Sequence, residues 1–329
     1  MKQRLSINEY LNGIDAFDRV ILAKALTLIE SNHEADRKEA QKLLGKIKPR
    51  NNTIRIGITG APGAGKSSFI ESFGNFLVKQ KKVAVLTIDP SSQLSKGSIL
   101  GDKTRMENLS KSIHAFIRPS SSGGELGGTA LRTRESIALC EAAGFEVILV
   151  ETVGVGQSEV AVKGMVDFFL LLMLAGAGDA LQGIKRGIME MADALVITKA
   201  DGDNKKKTIQ AQTEYQQALH LFRTDESGWA PLVLTCSAKE NMGMEKIWEM
   251  ICEYQLKTTK NGFWELNRQR QLVNWLHEYV DNRLMQEIKK SPGIGKLFKK
   301  VEKAVVAKKQ LPVTAGEKLL SEFKRWLPS

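Results

Sequence analysis

The sequence predicts an α/β fold with a mostly parallel β-sheet and helical extensions at both ends. Its central part contains short apolar runs that are mostly continuous rather than alternating, separated by segments long enough for helices. Strands of this kind, joined by helical crossovers, are typical of a parallel sheet covered on both faces. In such a sheet, ligands bind at the carboxyl ends of the strands. The runs are IRIGIT, VAVLTID, HAFIR, FEVILVET, DFFLLLM, ALVITKAD and PLVLTCSA.

Residues 1–50 are predicted to be helical. Apolar residues recur at three- and four-residue intervals from Ile14 to Ile29, which lines one face of a helix. Ser31 and Asn32 interrupt the pattern, and a second amphipathic stretch runs to Ile47.

The strand signals stop after about Lys257, and helical patterns follow. They are broken at Ser291–Gly295, and a last helix is expected after Pro312. We therefore predict an N-terminal helical segment (1–50), an α/β domain (51–256) and a C-terminal helical segment (257–329).

Composition favours a globular protein that binds neither nucleic acid nor a membrane. Hydrophobic residues make up 42% of the chain and charged residues 26%. The net charge is +11, but much of the excess lies in residues 251–329, with 16 Lys/Arg against 8 Asp/Glu. There the charges alternate with apolar residues at helical spacing, which indicates a solvated helix face.

The sequence also predicts a cytoplasmic location. The longest apolar run, Phe168–Ala175, is far shorter than the roughly 20 residues of a membrane span. The first residues contain no continuous apolar stretch typical of a signal peptide. Cys140, Cys236 and Cys252 have no CxxC spacing, so we expect reduced thiols.

A phosphate-binding loop follows the first predicted strand. The sequence matches GxxxxGK[ST] between a strand and an amphipathic helix, the context that this motif requires. Small residues let backbone N–H groups point at a β-phosphate, Lys66 can reach the β- and γ-oxygens, and Ser67 can bind Mg²⁺. This predicts the P-loop NTPase fold. The predicted phosphate-binding residues are Gly60, Ala61, Pro62, Gly63, Ala64, Gly65, Lys66, Ser67 and Ser68.

A second motif predicts that the base is guanine. The strand ALVIT ends in Thr198-Lys199-Ala200-Asp201, a [NT]KxD sequence. A carboxylate accepts both donors on the guanine edge, N1–H and the 2-amino group, whereas adenine presents an acceptor there. Lys199 can cover the face of the base. The later residues Ser237, Ala238 and Lys239 resemble the loop that backs the guanine, so GTP and GDP are the expected ligands.

Carboxylates at strand ends are the candidate Mg²⁺ ligands. Asp89 and Glu151 end two predicted strands, and Asp102 lies in a loop between them. With Ser67 they could hold the ion directly or through water, since Mg²⁺ needs few protein ligands. Capping of the following helix is the alternative for each carboxylate.

The residues of hydrolysis are less sharply defined by the sequence. Lys66, Glu151 and Gln157 are the candidate catalytic residues, and the backbone N–H of Gly154 could sense the γ-phosphate. Gln157 does not directly follow Gly154, the glycine expected to sense the γ-phosphate, so slow intrinsic hydrolysis is expected. Transition-state charge could come from any of Arg105, Arg118, Arg132, Arg134, Lys185 and Arg186.

The chain resembles the methylmalonyl-CoA mutase-associated GTPases, called MeaB or ArgK in bacteria. The segments DPSS, GSILGDKTRM, FIRPSSS, LGGTA, VETVGVGQSE, AGAGDALQGIKRGI and TKAD occur in the order of that family. The resemblance implies a chaperone that protects the adenosylcobalamin of an acyl-CoA mutase and helps reload it. It also implies a homodimer formed by the C-terminal segment, Mg²⁺ and switch roles for Ser67, Asp89, Asp102 and Glu151, and a third switch at residues 176–186.

The sequence departs from the family at three places. Thr198 replaces the usual Asn, so a contact between the base loop and the P-loop is expected to weaken. Residues 95–97 are less glycine-rich, and residues 122–125 lack an arginine. Two other functions stay open: a kinase of the amino-acid transport type, and a metallochaperone GTPase. The four histidines show no ligand spacing to support the latter.

Overall fold

A computed structural model describes residues 5–48, 50, 52–89, 106–121, 126–152, 158–176, 186–219, 226–290 and 292–326. The chain divides into two compact units, Met1–Leu272 and Val273–Ser329. The first unit contains the β-sheet and the second is helical.

The sheet of the described residues has seven strands, and all of their pairings are parallel. The strand order is β3-β2-β4-β1-β5-β6-β7, so β1 lies at the centre. Each of the apolar runs contributes one strand, which confirms the predicted fold class. The strands are β1 (Ile54–Gly60), β2 (Val83–Asp89), β3 (Ala115–Ser121), β4 (Val147–Thr152), β5 (Phe168–Leu174), β6 (Ala194–Thr198) and β7 (Leu232–Thr235).

Helices precede, connect and follow these strands. In chain order they are α1 (Ile7–Asp15), α2 (Arg19–Glu30), α3 (Glu34–Leu44), α4 (Lys66–Leu77), α5 (Glu107–Lys111), α6 (Leu126–Ala142), α7 (Ser158–Lys163), α8 (Arg186–Met191), α9 (Lys205–Leu219), α10 (Met244–Lys260), α11 (Phe263–Lys290), α12 (Pro292–Val306) and α13 (Pro312–Trp326).

Both faces of the sheet are buried, which explains why the strand sequences do not alternate. On one face, Phe69 and Phe73 of α4 and Tyr254 of α10 pack against β1, β4 and β5. On the other face, the N-terminal helices and α6 pack against β2 and β4, with Leu26 and Phe145 fully buried. The P-loop strand β1 is therefore held from both sides.

The prediction of one continuous helix from Ile14 to Ile29 is wrong. Phe17 has a left-handed backbone conformation with φ of 59°, which ends α1 and separates it from α2. Asp18 caps α2 by accepting hydrogen bonds from the backbone N–H groups of Val20 and Ile21. The apolar spacing continues across the break because both helices bury residues in the same core.

The second unit also differs from its predicted boundaries. The helix α12 begins at Pro292, so the expected break at Ser291–Gly295 is too long. Proline suits the first turn of a helix, because its missing N–H would have no partner there. The last helix begins at Pro312 for the same reason. The predicted boundary after residue 256 falls inside α10, and the three-segment division stays a prediction.

Candidate guanine-nucleotide site

The predicted phosphate loop lies between the end of β1 and the start of α4. Two of its glycines are required by the backbone. A side chain at Gly60 would place its Cβ 2.5 Å from the carbonyl oxygen of Leu172 on β5. Gly65 has a φ of 84°, in the left-handed region that favours glycine. The sequence therefore builds a tight loop that leads into a helix N-terminus, a suitable arrangement for binding phosphate.

Lys66 lies over this loop. Its Nζ donates a hydrogen bond to the carbonyl oxygen of Gly60 at 2.7 Å and approaches that of Ala61 at 3.5 Å. Burial lowers the pKa of the Lys66 amine, while the carboxylates of Glu151 and Glu159 act in the opposite direction. A bound phosphate would favour the protonated amine further, so this lysine is prepared for an anion.

The predicted base loop is organised by hydrogen bonds between two strand ends. The Ser237 hydroxyl donates to Oδ2 of Asp201 at 2.5 Å and accepts from the backbone N–H of Glu240 at 3.0 Å. The N–H of Ala200 donates to the carbonyl of Cys236 at 3.0 Å. Ser237 is fully buried. The Asp201 carboxylate is therefore held in one orientation at the edge of the site.

Thr198 joins the base loop to the phosphate loop. Its hydroxyl lies 2.7 Å from the carbonyl oxygen of Ala64 and 3.1 Å from that of Met173. The side chain of Lys199 also reaches back, with its Cε 3.9 Å from the position of a Cβ at Gly65. The contact that was expected to weaken is present, because a threonine hydroxyl also spans the gap. A buried hydrogen bond therefore joins the base loop to the phosphate loop.

Comparison with known proteins assigns this arrangement to a family. The family described as "Methylmalonyl Co-A mutase-associated GTPase MeaB" matches residues 22–293. The chain belongs to the MeaB family of GTPases. It is 44% identical to "GTPase ArgK" of Escherichia coli (strain K12) over 325 residues, which cover 98% of each protein.

Two further relatives support the assignment. The "Methylmalonic aciduria type A homolog, mitochondrial" of Mus musculus is 42% identical over 98% of this chain and 81% of its own length. A solved structure entitled "Crystal structure of LAO/AO transport system kinase" is 38% identical and covers 99% of both chains, with a TM-score of 0.74.

Beside the phosphate loop of this MeaB-family GTPase, two side chains offer the oxygen ligands that Mg²⁺ prefers. The Ser67 hydroxyl lies 3.2 Å from Oε1 of Glu151, which is 6% exposed at the end of β4. Asp89 ends the neighbouring strand β2. The described residues contain no cluster of three or more His, Cys, Asp or Glu able to hold a metal. A hydroxyl and a carboxylate beside a phosphate loop still fit Mg²⁺, which takes its other ligands from phosphate and water.

Three of the arginines considered for hydrolysis have other partners. Arg118 forms an ion pair with Glu30 of α2. Arg132 donates to the side chain of Asn32, and Arg134 donates to the carbonyl of Gly164 at 2.8 Å. The first contact ties α2 to β3, and the other two link α6 to the N-terminal helices and to the turn after α7. We therefore do not assign these residues a transition-state role.

The remaining predicted residues are only partly described. Asp102, Gly154, Gln157, Arg105 and Lys185 lie outside the described residues, as do residues 95–97, 122–125 and most of 176–186. The other predicted nucleotide-binding residues also lie in or next to the two loops. The phosphate loop contains Ala61 and Gly63, and the base loop contains Ala238. The side chains of Pro62, Ser68 and Lys239 are exposed.

Sequence reasoning missed Glu159. This residue lies in the first turn of α7 and is 2% exposed, and its charge partly opposes the lowering of the Lys66 pKa by burial. A glutamate directly after the VETVGVGQS segment gave no sign of burial, because its helix is short and carries little periodic pattern.

Proposed function

We propose that this GTPase is a chaperone that protects the adenosylcobalamin of an acyl-CoA mutase such as methylmalonyl-CoA mutase and helps load it. The support is twofold. The chain belongs to a family whose name associates it with that mutase, and its phosphate and base loops are joined through Thr198. That buried link is the observation that carries the proposal, because it would couple the phosphate loop to the base loop in a GTPase that signals by its nucleotide state.

In the proposed nucleotide cycle, the loop from Gly60 to Gly65 binds the phosphates through its backbone N–H groups. Lys66 exchanges the Gly60 carbonyl for the β- and γ-oxygens. Asp201, oriented by Ser237, accepts the two donors of the guanine edge, and Lys199 covers the base. Hydrolysis removes the γ-phosphate contacts on which switch segments depend.

Mg²⁺ belongs to this proposal. Ser67 and Glu151 would hold it, with Asp89 and Asp102 as further candidates from the sequence. When bound, the ion would neutralise charge shared by the β- and γ-phosphates. Gln157 stays the candidate for positioning the attacking water.

A homodimer through the C-terminal segment is also proposed. The described part of α11 exposes apolar side chains at four-residue spacing: Leu276, Val280 and Leu284 are 61%, 42% and 52% exposed. Such a stripe is suited to a partner helix. The cytoplasmic location stays a prediction; no helix of the described residues is long and apolar enough to cross a membrane.

The test is complex formation with an adenosylcobalamin-dependent methylmalonyl-CoA mutase from the same genome. We expect a joint elution peak whose mass by light scattering corresponds to a dimer of this chain plus mutase. We also expect slower inactivation of the mutase during turnover when GTP is present. Lys66→Ala should retain the complex and lose the GTP dependence. Absence of both the complex and the protection would refute the chaperone function.

A kinase is the second candidate, because one similar structure carries that word in its title. The same preparation distinguishes the two. Labelled γ-phosphate recovered as inorganic phosphate supports a GTPase, whereas label on a protein or small-molecule acceptor would favour the kinase.

A further inference from the structure

A threonine interrupts the apolar sequence of β2. In Val83–Asp89, the run Val-Ala-Val-Leu is followed by Thr87, which is 1% exposed. Its hydroxyl oxygen is buried and has no hydrogen-bond partner among the described residues. An unpaired buried hydroxyl costs free energy, and in native proteins it calls for an explanation such as a bound water or ion.

Other buried threonines in or next to the strands make such a bond. The hydroxyl of Thr53 donates to the carbonyl of Phe145 at 2.6 Å. Thr59 and Thr152 bond to each other at 2.9 Å. Thr87 differs from these neighbours in the same sheet.

The alternation of β2 shows which way Thr87 points. Val83 and Val85 belong to the core cluster that contains α4. Ala84 and Leu86 belong to the cluster formed with the N-terminal helices. Because successive side chains of a strand point to opposite faces, Thr87 points to the face covered by α4.

On that face its neighbour is the candidate metal site. Thr87 is in register with Glu151 on β4, and adjacent strands lie about 4.8 Å apart. Glu151 points to the same face, since its carboxylate meets the Ser67 hydroxyl of α4. The unpaired hydroxyl is therefore level with Glu151 and lies on the same face of the sheet.

We propose that Thr87 is a positioning residue for Mg²⁺, whose hydroxyl accepts a hydrogen bond from a water bound to the ion. This inference depends on the proposed magnesium site. Mg²⁺ keeps several waters, and each bound water has hydrogens that need acceptors. A threonine hydroxyl can accept a hydrogen bond from that water. It thereby fixes the water relative to Glu151.

The test compares variants with and without this hydroxyl. Thr87→Val and Thr87→Ala remove it, Thr87→Ser keeps it, and Thr53→Val is the matched control at the other end of the sheet. Two quantities are measured: the melting temperature in EDTA without nucleotide, and the Mg²⁺ concentration that half-slows the release of fluorescent mant-GDP.

We expect the two quantities to separate. Thr87→Val should melt no lower than the wild type without metal, because it removes an unpaired polar atom. It should need about tenfold more Mg²⁺ to slow the release of mant-GDP, as for other groups that orient metal-bound ligands. Thr87→Ser should behave as the wild type. Thr53→Val should melt lower and keep its Mg²⁺ requirement.

An unchanged Mg²⁺ requirement in both hydroxyl-free variants would overturn the role of Thr87. So would a Thr87→Ser variant as impaired as Thr87→Val, because the methyl group would then be the feature that matters. A wild type whose mant-GDP release does not depend on Mg²⁺ would instead refute the magnesium site.

Discussion

At the N-terminal ends of the strands, here called the N-terminal edge of the sheet, charged side chains are paired within the chain. At the C-terminal ends of the strands, the C-terminal edge, they face a candidate ligand site. Arg268 of α11 binds Asp167, just before β5, through two hydrogen bonds of 2.8 and 2.7 Å. Arg55 of β1 pairs with Glu141 at 2.6 Å and with Gln271 at 3.3 Å. Buried charges of both signs neutralise each other there.

The C-terminal edge has a different character. Lys66 is bonded to carbonyl oxygens of its own loop, and its pKa is lowered by burial. Thr87 has no partner among the described residues. Gly63, in the loop, has no atom within 4 Å of where a Cβ would lie. These groups leave polar contacts for a ligand to complete.

The comparison gives a physical criterion for function within one sheet. Polar groups that the chain satisfies by itself hold the elements together, and their loss should lower stability alone. Polar groups that lack partners within the chain should differ, because their loss should weaken ligand binding before it lowers stability. Each variant below tests this separation by measuring both quantities.

The largest effect on binding is expected for Asp201→Asn. The carboxylate accepts two donors of guanine, and each charge-assisted bond contributes roughly 1.5–3 kcal/mol. GTP affinity should therefore fall by at least a hundredfold, measured by calorimetry, while the melting temperature of the free protein changes little. Affinity for xanthosine triphosphate should rise. The exposed neighbour Asp203→Asn is the control, and unchanged GTP affinity in Asp201→Asn would contradict the base-site assignment.

The reverse result is expected at the opposite edge for Arg268→Gln. It leaves the Asp167 carboxylate, which is 1% exposed, without its cation. Breaking a buried pair in this way costs about 3–5 kcal/mol in the free energy of unfolding. GTP affinity should not change.

The same helix offers a matched control. Arg270→Gln removes an exposed ion pair with Glu226, in which the side chains are 52% and 66% exposed. Exposed pairs contribute about 0–1 kcal/mol. Chemical denaturation of both variants checks the difference, and equal losses would show that burial does not govern these charges.

Much of the C-terminal edge could be predicted from the sequence because its signals are local. The P-loop, TKAD and SAK segments each follow an apolar run within a few residues, and a parallel sheet brings such strand ends together. The chemistry of phosphate and guanine restricts the residue types further. The fold class followed from the same runs.

The N-terminal edge could not be predicted in this way. The Arg268–Asp167 pair joins residues separated by 101 positions, and no motif marks either residue. The break at Phe17 does not interrupt the apolar spacing of the sequence, because α1 and α2 bury their apolar side chains in the same core. Thr87 had a signal, a polar residue within an apolar strand, but its missing partner is visible only when side chains are placed.

Glu135 of α6 is a largely buried carboxylate whose negative charge is only partly compensated by neighbouring cations. Burial raises its pKa to about 7, against the opposing charges of Arg132 and Arg37. A carboxyl whose folded-state pKa lies above its unfolded value stabilises most below about pH 4.5, and this contribution is lost as pH rises towards 7.

We therefore expect the unfolding free energy of the wild type to fall between pH 5 and pH 8. Glu135→Gln should remove much of this slope and be more stable at pH 8 by up to about 3 kcal/mol. The control Glu245→Gln changes an exposed carboxylate of α10 and should leave the slope intact. GTP affinity should be the same in all three proteins at pH 8. A Glu135→Gln variant that keeps the wild-type slope would show that the two arginines fully compensate this buried charge, which would then belong with the paired groups of the N-terminal edge.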